Sequence, residues 1–110
     1  VQITEFTVAP FVSSDQGKSY HEWFVEFEQP PASMEEFASR LDIALRQKNV
    51  YYDDLIGGSI LQPLKLTPVN KNGFIDYMKS IGKLGGQNKV PRLSNDRKIA
   101  DELIKWTENQ

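Results

Sequence analysis

Polar and apolar positions alternate twice near the start of the chain. From Gln2 to Ala9, Phe6 and Val8 share one parity while Glu5 and Thr7 share the other. That two-residue period belongs to a half-buried strand. Pro10 lacks a backbone donor and ends the strand or marks an edge. Ser13-Ser14-Asp15-Gln16-Gly17 is turn chemistry. A second alternation runs from Tyr20 to Glu28. Trp23, Val25 and Phe27 share one face; Glu22, Glu26 and Glu28 share the other. Phe24 is the exception, standing among the glutamates. The pattern predicts an antiparallel pair with the Trp23 face inward and the acidic face outward.

The period changes after Pro30-Pro31. Ser33 and Glu36 have the spacing of a capping box. A helix is predicted from Met34 to about Lys48, with Phe37, Leu41 and Leu45 on its apolar stripe and Ile43 opposite. Asn49 to Leu55 reads as one helical turn, closed by Gly57-Gly58. Ile60 to Val69 reads as an edge strand, because Pro63 and Pro68 cannot donate to a ladder. Asn70-Lys71-Asn72-Gly73 is a turn. A short helix from Phe74 to about Lys83 buries Phe74, Tyr77, Met78 and Ile81. A last helix, capped by Ser94 or Asn95, runs to about Thr107 with Ile99, Leu103 and Trp106 inward. The order β-β-α-β-α-α predicts an α+β domain over residues 1–110, a small and mostly antiparallel sheet packed against helices.

Composition narrows the chemistry. A length of 110 residues suits one domain with its own core. There is no cysteine, so thiol catalysis, disulfides and zinc–thiolate sites are excluded. Nothing resembles a signal peptide or a membrane span, and a cytoplasmic setting is the expectation. The chain begins at Val1 without methionine, as a piece cut from a longer protein or a processed tag would. The net charge of −2 disfavours wholesale nucleic-acid binding. It is unevenly placed: residues 79–98 hold six cations against Asp96 alone, a balance of +5 that leaves −7 elsewhere.

Within that flank lies Gly85-Gly86-Gln87-Asn88-Lys89-Val90-Pro91-Arg92. Two glycines free the backbone. Pro91 then stiffens it and pushes Val90 toward an extended form. A shaped turn carrying Lys89 and Arg92 suits a polyanion such as a nucleotide phosphate. Its bland counterpart is a surface loop with two solvated charges. The single histidine, His21, shares the parity of Trp23 and reads as a core or sheet-edge residue. Asp53 and Asp54 are adjacent, a poor geometry for chelation, and read as a helix end or solvated pair; no metal site is expected. The serines have no evident base, and neither a P-loop nor GxGxxG is present. A complete active site is not expected inside this chain.

From Asn49 onward an ordered set of short motifs carries a resemblance. Asn49-Val50-Tyr51-Tyr52, Leu61-Gln62-Pro63-Leu64-Lys65-Leu66, Asn72-Gly73-Phe74 with Tyr77, and the stretch from Gly85 to Arg92 follow the order and spacing of one family. The chain resembles the C-terminal domain of the auxin-responsive Gretchen Hagen three acyl-acid amido synthetases, known from plants and with bacterial relatives, and reads as a bacterial-type member. The strand from His21 to Phe27 resembles the one that opens that domain. The resemblance implies membership of the adenylate-forming superfamily. In such enzymes a large N-terminal domain binds ATP with Mg2+ and an acyl acid, giving an acyl-adenylate and pyrophosphate. An amino acid then displaces AMP to form an amide, and the small mobile C-terminal domain turns between the two steps. The family's Lys-x-Pro-Arg lysine faces the phosphates, which implies a catalytic, nucleotide-binding Lys89 and a nucleotide-binding Arg92.

The sequence departs from the family at Asn88, where plant members commonly have Tyr, and at Gln62, where they have Gly. It also lacks the Gly-Lys pair of related thioester-forming enzymes. The expected partners are therefore the N-terminal adenylation domain, an acyl acid and an amino acid, with no cofactor held by the isolated chain and no nucleic acid or membrane. The alternative reading is a small protein- or nucleic-acid-binding module using Phe24 as an exposed stacking platform.

Overall fold

A computed structural model of the chain describes residues 1–15, 18–83 and 89–107. Strands β1 (Gln2–Phe11) and β2 (Tyr20–Gln29) form the long antiparallel pair that the two alternations predict. Strand β3 (Lys65–Pro68) lies on the other edge of β2, in parallel. Between β2 and β3 come α1 (Met34–Lys48) and α2 (Val50–Gly57); after β3 come α3 (Gly73–Ser80), α4 (Lys98–Leu103) and a 3-10 turn over Ile104–Trp106. The α+β architecture holds, with one helix more than expected because α2 extends past a single turn. No helix among the described residues is long and apolar enough to cross a membrane.

The sheet is covered on both faces, and this corrects the strand parity. The face carrying Glu22, Phe24 and Glu26 is the main core. Phe24 is fully buried and clusters with Phe74, Tyr77, Met78, Val90 and Leu103. It is not an exposed stacking platform. The glutamates beside it are tolerated because each meets donors, without which burial of a charge is costly. Glu22 accepts from the Thr67 hydroxyl and from Arg97 at 2.9 Å. Glu26 accepts from the N–H groups of Asn72 at 3.0 Å and Phe74 at 3.2 Å, the open donors at the start of α3. A negative group there also complements the helix dipole.

The opposite face carries α1 and α2. Phe27 meets the edge of Phe37 at 5.5 Å, Phe6 stacks on Trp23 at 5.4 Å, and His21 stacks on Tyr52 at 5.8 Å. Val25 is buried, but Trp23 and Phe27 are only partly so. Ser33 caps α1 by accepting from the Glu36 N–H at 3.1 Å. The reciprocal half of the capping box is replaced, since the Glu36 carboxylate pairs with Arg40 at 2.7 Å. The buried side chain of α1 is Asp42, which accepts from the Tyr52 hydroxyl and from the Leu64 N–H.

Two boundaries near the candidate site also shift. Helix α3 stops at Ser80, and Gly82 takes a left-handed φ of +70° just beyond. Helix α4 begins at Lys98, whose N–H is held by Asp96 at 3.0 Å, rather than being capped by Ser94 or Asn95. The reason is that residues 91–94 are already committed to the edge of β1. Ile99, Leu103 and Trp106 do face the core.

Candidate functional site

Gly85, Gly86, Gln87 and Asn88 lie outside the described residues, so the site is built from Lys89 onward. Val90, buried in the main core, anchors the segment. The next residues attach to the free edge of β1. The Thr7 hydroxyl donates to the Pro91 carbonyl, the Val8 N–H donates to the Arg92 carbonyl at 2.9 Å, and the Ser94 N–H donates to the Val8 carbonyl at 2.9 Å. Val8 and Leu93 form a parallel bridge. Proline suits this place because its missing N–H is not needed by the ladder. The segment is thus a short fourth rung of the sheet, fixed by core packing as well as by backbone.

Lys89 is exposed and makes no ion pair among the described residues. It borders two shallow depressions. One, of about 200 Å³, is lined by Glu5, Glu26, Phe74, Met78 and Val90. The other, of about 280 Å³, is lined by Tyr77, Ile81, Lys83, Pro91 and Ile99. Val90 is buried, and Lys89 borders both depressions.

Arg92 is placed differently from its neighbour. Its guanidinium pairs with the Glu5 carboxylate and lies 4.5 Å from the centre of the Phe6 ring. Glu5 also accepts from the Phe6 N–H at 3.0 Å. The register of β1 against β2 is irregular between Ile3 and Glu5. Further along, Arg97 bonds the buried Glu22 and lies 5.7 Å from Phe11 and 5.9 Å from Phe24. Within the cationic flank, then, Arg92 and Arg97 are tied to the sheet. Lys79, Lys83, Lys89 and Lys98 are exposed.

A second polar cluster sits under α1 and α2. Burial, with help from the Asp42 hydrogen bond, pushes the Tyr52 phenol well above its usual range. Burial lowers His21. Asp53 raises Arg46, to which it bonds at 2.7 Å. This is a structural latch joining two helices to the loop before β3. No group of three His, Asp or Glu able to hold a metal occurs among the described residues. Sequence reasoning missed the roles of Glu5, Thr7 and Val90. The usable signal was that Glu5 and Thr7 share one parity of β1 and so stand on one face of the sheet, opposite Glu26 and Phe24.

A family model described as the GH3 family C-terminal domain matches residues 1–98. The chain belongs to the GH3 family. Among solved structures, the GH3 domain is similar to "GH3.15 acyl acid amido synthetase", with a TM-score of 0.73 and 19% identity over 96% of this chain and 19% of that one. It is similarly related to "AtGH3.15 acyl acid amido synthetase in complex with 2,4-DB", with a TM-score of 0.72 and 15% identity over 96% of this chain and 20% of that one. At such identities these structures support the shared fold. The GH3 domain spans about one fifth of their length. A comparison with curated proteins found no match.

Proposed function

We propose that this GH3 domain is the mobile C-terminal part of a two-domain, ATP-dependent acyl-acid amido synthetase in the cytoplasm. In this reading the N-terminal adenylation domain binds ATP with Mg2+ and the acyl acid. An acyl-adenylate forms with release of pyrophosphate, and an amino acid then displaces AMP to give an amide. The domain's contribution is Lys89. An exposed ammonium on an anchored segment, without a carboxylate partner among the described residues, is suited to phosphate oxygens that gain charge in the first step. That placement is the observation that carries the proposal. Family membership supports the reaction type. The identity of the acyl acid is left open, because its pocket belongs to the other domain.

The test is adenylate formation by the full-length protein, followed as acyl-acid-dependent exchange of pyrophosphate into ATP. Lys89→Ala is expected to slow it by about 10- to 1,000-fold, roughly the 1.4–4 kcal/mol of one well-placed electrostatic contact. The same substitution in the isolated domain should change stability by less than about 0.5 kcal/mol, as at other surface positions. Unimpaired exchange in Lys89→Ala would return Lys89 to the role of a solvated surface cation.

A further inference from the structure

Arg92 lies three residues from Lys89, yet its guanidinium is turned onto β1, where it pairs with Glu5 at the border of one depression and lines neither. Three features hold it. The Glu5 carboxylate binds it, the Phe6 ring lies beneath it, and its own carbonyl is fixed by the Val8 N–H. Glu5 is about one-fifth exposed, so its charge is partly shielded from water, and it has a second donor in the Phe6 N–H. Arg, unlike Lys, can bond a carboxylate and stack on a ring at once. Directly across the strand pair from Glu5 stands Glu26. Two carboxylates opposite one another repel unless each has its own cation or donors. Glu26 has the start of α3, and Glu5 has Arg92.

We infer that Glu5 and Arg92 form a positioning pair that sets where Lys89 stands, and that neither touches the nucleotide. The inference rests on the reading of Lys89 given above and adds two residues to it. The chain from Lys89 to Arg92 is short, and it is held between Val90 in the core and the edge of β1 that the pair braces. Loss of the pair therefore releases one end of this segment and lets Lys89 drift. A positioned charge loses much of its effect with a displacement of about 1 Å.

The experiment is charge exchange in the full-length protein, with pyrophosphate exchange measured at varied ATP. Arg92→Glu should slow kcat by about 100-fold and Glu5→Gln by about 10-fold, each with the KM for ATP changed by less than about 2-fold. The double variant Glu5→Arg/Arg92→Glu restores the pair in reverse and should recover at least about 10-fold of the loss in Arg92→Glu. A double variant as slow as Arg92→Glu, or Glu5→Gln with an unchanged rate, would mean that Arg92 acts on the phosphates directly and would overturn the inference. Hydrogen exchange at the Val8 and Ser94 amides of the 110-residue chain separates this claim from the functional one. Glu5→Gln should speed exchange at both amides by about 10-fold, whatever the full-length protein catalyses. Unchanged protection there would overturn the positioning pair even if Lys89 proves essential.

Discussion

Asp42, Glu22 and Glu26 are three carboxylates in the interior, and each is held by donors distant in sequence. Asp42 shows the arrangement most clearly, since the Tyr52 hydroxyl and the Leu64 N–H both point at it. Removing one donor leaves a buried acceptor short of a partner, which typically costs about 1–3 kcal/mol. Tyr52→Phe is expected to lose that much at neutral pH, measured by urea unfolding. The pH dependence follows from the phenol. Its pKa is raised above the usual 10.0, by burial first and by Asp42 second. The folded state therefore keeps a proton that the unfolded state releases. Stability from this group is complete below about pH 10 and falls as the pH rises beyond it. Tyr77 is also raised by burial and adds a slope of the same sign. The difference between wild type and Tyr52→Phe thus isolates the Tyr52 share, and the gap between them should narrow above pH 10. A gap independent of pH would show that the phenol titrates normally.

At the level of elements, both long strands, α1 and the edge position of β3 were legible because their patterns are local. Alternation shows a strand, and Ser33 with an apolar stripe shows a helix start. The face of β2 that becomes the core was not legible. Glutamates mark solvent in a local reading, and nothing near Glu22 or Glu26 announces Arg97 or the start of α3, 75 and 46–48 residues away. The same limit hid the rung formed by residues 91–94, whose partner Val8 lies at the other end of the chain. Lys89 was singled out through the family's motif order, whereas the Arg92 contact with Glu5 left no local signal. The two helix layers should consequently differ in what they contribute. Phe24 is fully buried, while Phe37 is partly exposed and meets Phe27 edge-on. Phe24→Ala should destabilise by about 3–5 kcal/mol, the usual range for an emptied core aromatic. Phe37→Ala should cost about 1.5–3 kcal/mol, nearer the value for surface burial alone. Equal losses in urea unfolding would make the α1 face as much a core as the α3 face.

For the whole molecule, the distribution of charge and space points to a division of labour. Part of the acidic excess is internal, in Glu22 and Asp42, so it stabilises the fold instead of opposing an anionic ligand. The cationic flank keeps four lysines outside. Yet the depressions beside Lys89 measure only about 200 and 280 Å³, below the roughly 300–1,000 Å³ of pockets that enclose a small-molecule ligand. Nothing in them offers an enclosed seat for a nucleoside and an acyl group together. The GH3 domain on its own is therefore expected to show no acyl-acid-dependent exchange of pyrophosphate into ATP at any practical concentration, while the full-length protein does. The comparison is run on the same acyl acids and at low ionic strength, where attraction of ATP to the lysines is greatest. Because attraction without enclosure gives weak binding and no alignment, ATP should at most shift the amide signals around Lys89 without turnover. Exchange catalysed by the 110-residue chain would show that the two substrates are aligned by this domain itself, and the assignment of their pocket to a separate adenylation domain would have to be abandoned.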